Sequence, residues 1–265
     1  MIDIHCHILP GMDDGPEEMD QSVRMAELAV REGITAIVAT PHHANGVYRN
    51  SASAIIQAVH TLNAVLADLD VNLEIIPGQE VRLTDRLLED LEEGRLILQG
   101  NRYLLLELPA SRLPSRLEET LHELRVLGIT PIIAHPERNA VLAADPGLLE
   151  ALIDKGALSQ LTSHSLTGLF GSRIQKAALR FCDRDLVHFV ASDAHDTEVR
   201  NNRLAPAYAL LQKRLGDAAV ERLRRNTELM LTGEAIDPWP IRQKPKGLLR
   251  RLTIPFQRTR GEHAK

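Results

Sequence analysis

Cysteine is scarce in this chain of 265 residues: Cys6 and Cys182 are the only two. Two thiols cannot build a disulfide framework, and their scarcity fits a reducing compartment. Neither suits a thiolate phosphatase, whose cysteine is followed six residues on by an arginine; that offset holds Met12 after Cys6 and His188 after Cys182. Aromatic residues make up 3 % of the chain, too few to furnish stacking platforms for bases or sugars. No apolar run approaches the ~20 residues that span a bilayer. Met1 leads straight into the polar-studded Ile2-Asp3-Ile4-His5 rather than into a secretory leader, so a cytoplasmic location is expected. An excess of positive charge is missing too. With 31 Lys and Arg against 36 Asp and Glu the net charge is −5, which argues against nucleic acid as a partner.

What is present is a regular β/α rhythm. Seven short runs read as strands, at 2–5, 36–39, 74–77, 104–108, 131–134, 158–162 and 187–191. Several are apolar throughout, as expected of parallel strands covered on both faces. Helical periods lie between them, at 17–32, 52–69, 85–92, 116–127, 147–155, 173–182 and 206–215. The first follows Gly15-Pro16 and stops at Gly33; the second carries Ile55, Val59, Leu62, Val65, Leu66 and Leu69 at spacings of three and four. With 44 % hydrophobic residues to form a core, the pattern predicts one α/β barrel domain over residues 1–240. Residues 241–265 differ, with eight Lys or Arg against the single acid Glu262. This basic tail reads plainly as a solvated, partly flexible terminus; Leu248, Leu249, Leu252, Ile254 and Phe256 also give it the composition to touch an anionic membrane.

The strand ends carry the chemistry. His5-Cys6-His7 closes the first strand, Pro41-His42-His43 follows the second and Gly78-Gln79-Glu80 the third. Glu107 lies in the fourth, His135-Pro136-Glu137-Arg138 follows the fifth, Ser163-His164-Ser165 the sixth and Ser192-Asp193-Ala194-His195 the seventh. In α/β barrels the C-terminal rim of the strands is where sites are assembled. Period-2 geometry puts His5 and His7 on one face and Cys6 on the other. A carboxylate inside Leu104-Leu105-Leu106-Glu107-Leu108 must meet an arginine or a metal, because burying it alone is very costly. Of the His42-His43 pair one can point inward, and His42 is nearer the strand. His164 sits in a polar, loop-like context that suits a solvated or substrate-facing imidazole as well as a ligand. Asp13-Asp14 fits either a helix-capping turn or a ligand. His60, His122, His188 and His263 read as structural or surface residues. A donor set of nitrogen and oxygen suits Mn, Fe, Zn or Mg, and its size implies two or three ions. Such centres activate water and clamp the oxygens of an in-line displacement at phosphorus. Arg138 and Arg200 are placed to hold a phosphate bidentately.

His5-Cys6-His7, Asp13-Asp14-Gly15, Thr40-Pro41-His42-His43, Pro77-Gly78-Gln79-Glu80, His135-Pro136-Glu137-Arg138-Asn139 and Ala191-Ser192-Asp193-Ala194-His195 together resemble the polymerase-and-histidinol-phosphatase (PHP) superfamily, and within it the CpsB/YwqE-type bacterial tyrosine-protein phosphatases. The likeness runs from residue 1 to about residue 235. It implies a distorted seven-stranded TIM-like (β/α)7 barrel with three metals, often Mn, acting on phosphotyrosine of a tyrosine autokinase that controls capsule or exopolysaccharide synthesis. It further implies that His5, His7, Glu80 and Asp193 hold one metal, that Glu80, Glu107 and His135 hold a second, and that Asp14, His42 and His195 hold the third. Arg138 and Arg200 would bind the phosphate, with no phosphoenzyme formed. The alternatives are a small-molecule phosphomonoesterase of the histidinol-phosphatase kind and a non-catalytic phosphotyrosine-binding regulator.

Overall fold

The computed structural model describes residues 1–239, and in them strand and helix alternate as the apolar periods predict. In chain order the elements are β1 (Ile2–Cys6), α1 (Met19–Arg31), β2 (Ala36–Ala39), β3 (His42–His43), α2 (Ala52–Asp68), β4 (Glu74–Pro77), β5 (Glu80–Arg82), α3 (Leu87–Glu92), β6 (Tyr103–Glu107), α4 (Leu117–Val126) and β7 (Thr130–Ala134). Then come α5 (Ala140–Ala144), α6 (Pro146–Asp154), β8 (Leu158–Thr162), α7 (Ser163–Thr167), α8 (Ser172–Asp183), β9 (Phe189–Ala191), α9 (Ala205–Leu215) and α10 (Asp217–Thr232). All seven strand pairings are parallel, in one sheet of order β1-β2-β4 and another of order β3-β5-β6-β7-β8-β9. The chain thus has the expected α/β fold.

Two strands are broken where the sequence reading ran them into loops. β3 resumes from β2 after Thr40-Pro41, and β5 from β4 after Gly78-Gln79. Pro41 has no N–H to give a ladder. Gly78 is needed for closeness: a Cβ there would lie 2.5 Å from Val38 Cγ1. At the other edge β9 returns to β1, with Asp193 N–H donating to His5 O and His7 N–H to Ala194 O, both at 2.8 Å.

Alternation along the strands separates two cores. Ile37, Leu104, Leu106, Ile133, Leu161 and Val190 face the helices. Ile4, Val38, Leu105, Ile132, Leu158 and Phe189 face inward, joined by Tyr103 and Met230. This explains why the strands lack a polar face. Met230 comes from α10, the one long helix absent from the sequence reading. Its apolar stripe of Val220, Leu223 and Met230 is interrupted by buried Asn226 and Thr227, and Arg222, Arg224 and Arg225 crowd between. Just beyond it, Tyr103 donates its hydroxyl proton to Glu234 O at 2.5 Å. Helix α10 therefore covers the end of the strands opposite the histidine-bearing rim.

His188 is structural, as its position predicts. Its Nδ1 accepts from Ser159 N–H at 3.1 Å and its Nε2 lies 3.0 Å from Pro238 O. Burial lowers its pKa from 6.5 to about 4. A depressed folded-state pKa means that the unfolded chain binds the extra proton, so stability is whole above pH ~6.5 and drains as pH falls towards 4. At 1.36 kcal/mol per unit the loss is about 3 kcal/mol. Denaturant unfolding at pH 7 and pH 4.5 should show this acid loss diminished in His188→Gln; an equal loss in both proteins would refute it.

No helix among the described residues is long and apolar enough to cross a membrane. The basic tail at 241–265 lies outside the described residues.

Candidate metal centre

Because every pairing is parallel, the strands deliver their C-terminal ends to one rim. β1 brings His5 and, just past its end, His7; β3 brings His42, β5 Glu80 and β6 Glu107, while the turns after β7 and β9 bring His135, Asp193 and His195. His135 (φ 34°) and Asp193 (φ 53°) both sit in left-handed backbone, a conformation that non-glycine residues adopt at a cost. The Asp193 turn is held from beneath by Asp3, which is fully buried. Asp3 Oδ1 accepts from Ser192 N–H at 3.0 Å and Oδ2 from Ser192 Oγ at 2.5 Å, while Asn202 Nδ2 reaches Oδ2 at 3.3 Å.

The His5 and His7 rings meet at their Nε2 atoms, 3.2 Å apart. Their other nitrogens are committed: His5 Nδ1 donates to Gln160 Oε1 at 2.8 Å and His7 Nδ1 to Asp13 Oδ2 at 2.6 Å. In the neutral tautomers these bonds select, two lone pairs confront each other, an arrangement that calls for a cation between them. Each Nε2 also lies 3.5 Å from Glu80 Oε2 and from Asp193 Oδ1. Ligands about 2.1 Å from a shared ion in tetrahedral geometry stand roughly 3.4 Å apart, so the donor spacing fits a metal. Burial opposes charge on both rings, yet the facing carboxylates raise both pKa values, His7 most strongly through Asp13. The local field favours positive charge here.

Around this point lie two further groupings. Asp14 Oδ1, half-exposed, is 3.3 Å from His195 Nε2 and 3.4 Å from His42 Nε2, with His7 completing the set. His42 Nδ1 is 2.9 Å from Glu80 Oε2 and 3.9 Å from Glu107 Oε2. Glu80 Oε2, Glu107 Oε2, His42 Nδ1 and His195 Nε2 are buried and, close as they lie to one another or to Asp14, none makes a hydrogen bond of proper geometry, as ligand atoms would not. Burial works against the Glu80 charge, but His5, His135 and His42 hold its carboxyl well below the usual range. Burial and the neighbouring Glu80 push Glu107 up. Asp193, despite burial, is held well below by His5, His7, Arg138 and Arg200. Burial and Arg138 lower His135 to about 4, and burial and His7 lower His195, leaving both neutral and able to ligate.

All nine sequence-predicted ligands therefore converge on this rim, but the groupings differ: Glu80 is not grouped with His5, His7 and Asp193, and His7 also joins Asp14, His42 and His195. His42 stands beside Glu80 and Glu107, where the resemblance placed His135; His135 instead touches Glu80 Oε1 at 2.7 Å and belongs to none of the three groupings. Of its two alternatives Glu107 meets the arginine, Oε1 accepting from Arg82 Nη2 at 2.9 Å, while Oε2 lies in the grouping with His42 and Glu80. Asp14 reaches the histidines, whereas Asp13 acts behind them, holding His7 and accepting from His42 N–H at 3.0 Å. Gly15 lets that turn lie on β1, because a Cβ there would sit 2.2 Å from His7 O. His43 faces away, with Nδ1 2.7 Å from Asn50 O and Nε2 3.6 Å from Asp90. His164 is buried against Phe170 and is outside the three groupings. Cys6 and Cys182 are buried, and burial pushes both thiols up, Cys182 to about 12, so neither is a nucleophile.

Arg138 and Arg200 share one anchor. Both guanidinium groups donate to Asp193 Oδ2, Arg200 at 3.0 Å, and Arg138 packs over the Phe170 ring at 5.6 Å. Arg200 Nε is buried without a partner. The supporting residues were less legible. Gln160, a polar residue inside Leu158-Ser159-Gln160-Leu161, was the available signal for a group gripping His5. Arg82, two residues after Glu80 and so on the same strand face, signalled the partner of Glu107. Asp13→Asn should weaken metal binding by about 10- to 100-fold, the usual effect of losing a carboxylate behind a ligating imidazole. Metal titration of the variant checks this, and unchanged affinity would contradict it.

Parallel strands that bring histidines and carboxylates to one rim in metal-sized groupings define the class: an α/β protein with candidate metal-binding clusters at one rim. Residues 1–232 match the family model described as "Capsular polysaccharide synthesis, CpsB/CapC", and the chain belongs to this family. It is 43 % identical over 257 residues to the tyrosine-protein phosphatase YwqE of Bacillus subtilis, covering 97 % of this chain and 100 % of that protein. It is 32 % identical over 229 residues to the tyrosine-protein phosphatase CpsB of Streptococcus pneumoniae, covering 84 % and 94 % respectively. A solved structure described as YwqE and CpsB, "unique metal-dependent tyrosine phosphatases", superposes with a TM-score of 0.87 at 43 % identity, covering 89 % of this chain and 96 % of that one. A phosphotriesterase homology protein from Escherichia coli shares the fold alone, with a TM-score of 0.53 at 13 % identity.

Proposed function

We propose that this chain is a metal-dependent protein-tyrosine phosphatase. The observation that carries the reading is the pair of facing imidazole lone pairs ringed by Glu80 and Asp193, with two arginines on the outer oxygen of Asp193 and no exposed thiol nearby. His5, His7, Asp14, His42, Glu80, Glu107, His135, Asp193 and His195 would hold two or three divalent ions, with Mn proposed and Fe, Zn or Mg compatible with the same donors. When bound, such ions supply water activation near neutral pH and neutralise charge on the phosphoryl oxygens.

The chain's own groups do the rest. Arg138 and Arg200 orient the phosphoryl group by bidentate donation, and Asp193 sets the position of both. Gln160 and Asp13 fix the tautomers of His5 and His7, so that both Nε2 lone pairs face the centre. A phenolate leaves with a pKa of about 10, so a strong general acid is less necessary than for a serine phosphate. The substrate is proposed to be phosphotyrosine on a bacterial tyrosine kinase that governs capsule or exopolysaccharide synthesis, in the cytoplasm; the names of the relatives and family support the phosphotyrosine and the link to capsule synthesis. Residues 1–240 are proposed to form one metallophosphatase domain. β2 with β3 and β4 with β5, each counted as one interrupted strand, support a distorted seven-stranded barrel of the PHP kind.

Steady-state comparison of phosphotyrosyl peptide, phosphoseryl peptide and histidinol phosphate tests the reading. The expected order of kcat/KM places phosphotyrosine first by at least about tenfold, one 1.4 kcal/mol step. Preference for histidinol phosphate would replace it with the small-molecule alternative.

A further inference from the structure

Beside the arginines lies a cavity of about 530 Å³ that the chemistry above does not use. Its two walls are the loops that bound the phosphate side of the centre. One wall follows α7, and there Phe170 turns in under Arg138 while Leu169 turns out, 50 % exposed. The other wall precedes α9, and there Arg200 turns in to Asp193 while Val199 turns out, 60 % exposed. His164 lines the cavity, and Glu198 and Arg203 stand among its polar residues. Each loop therefore presents one residue to the arginine-bearing side of the metal centre and its chain neighbour to the cavity. A chain whose phosphate the arginines hold can therefore reach the cavity past Leu169 and Val199.

We propose that this cavity is a subsite for the polypeptide that bears the phosphotyrosine, taking an apolar side chain adjacent to it. The inference rests on the phosphatase reading and deepens it. Continuity with the arginines selects the occupant: a segment whose phosphotyrosine is engaged has its neighbouring residues at the cavity mouth. The two outward apolar side chains select an aliphatic or aromatic neighbour, while Glu198 and Arg203 offer an acceptor and a donor for its peptide groups.

The test compares wild type with Leu169→Ser on three substrates: p-nitrophenyl phosphate, a phosphotyrosyl peptide flanked by Leu, and the same peptide flanked by Asp. Wild type should favour the Leu peptide in KM by about tenfold, the contact of one partly buried aliphatic side chain. Leu169→Ser should erase that preference while turning over p-nitrophenyl phosphate, which has no flanking residue, as wild type does. Equal KM values for the two peptides in wild type, or a preference that survives Leu169→Ser, would overturn the subsite. A self-association that Leu169→Ser abolishes, with no peptide preference, would assign the cavity to a second copy of the chain instead. Failure of wild type on all three substrates would remove the phosphatase reading itself, and the subsite with it.

Discussion

Glu80→Gln is expected to lower kcat/KM on an aryl phosphate by at least about 10³-fold, ~4 kcal/mol at the transition state. Glu80 is almost wholly buried, and its two oxygens contact the imidazoles of His135, His42, His5 and His7 at 2.7, 2.9, 3.5 and 3.5 Å. The amide has nearly the same shape but no charge, and its NH₂ would point a donor at sites that offer cations or N–H groups. Metal content should fall together with activity. Measuring both on protein with a wild-type unfolding transition separates loss of the centre from loss of the fold. Activity within tenfold of wild type at unchanged metal content would show that Glu80 is no ligand.

Arg138→Ala should cost about 10² to 10³-fold in kcat/KM, the usual effect of removing one group that stabilises transition-state charge, but should leave the metal content intact. That contrast with Glu80→Gln follows from position: Arg138 reaches the outer oxygen of Asp193, whereas Oδ1 faces His5 and His7. Arg138→Lys should recover little, because a single ammonium cannot donate in a planar fork or lie flat on Phe170. Single-turnover rates with metal analysis check the pair. Loss of metal in Arg138→Ala, or full rescue by lysine, would move Arg138 from substrate to scaffold.

How far the sequence revealed this centre varied from residue to residue. His5, His7, His42, Glu80, Glu107, His135, Asp193 and His195 were legible because strand-end position and parallel topology together dictate a shared rim. The choice between Asp13 and Asp14 was not, since adjacent carboxylates in a turn differ only in direction; Asp13 turns to His7 Nδ1, and Asp14 turns to His42 and His195. Nor could spacing show that His42 would join Glu80 and Glu107, because two adjacent histidines leave open which ring nitrogen faces which neighbour. β3 and β5 were hidden by being two and three residues long, too short for any periodicity to register. α10 was hidden by buried Asn226 and Thr227: Asn226 donates to His188 O at 2.9 Å, a tertiary contact that breaks the apolar stripe. Asp3 and Asn202 act from beneath the ligands, and nothing local marks either as the support for another residue.

Metal counted against turnover in the full chain tests the metal centre most directly. The purified protein should carry at least two divalent ions per chain, lose phosphate release from p-nitrophenyl phosphate on exhaustive chelation, and regain it when Mn is restored. Undiminished turnover from metal-free protein would contradict it.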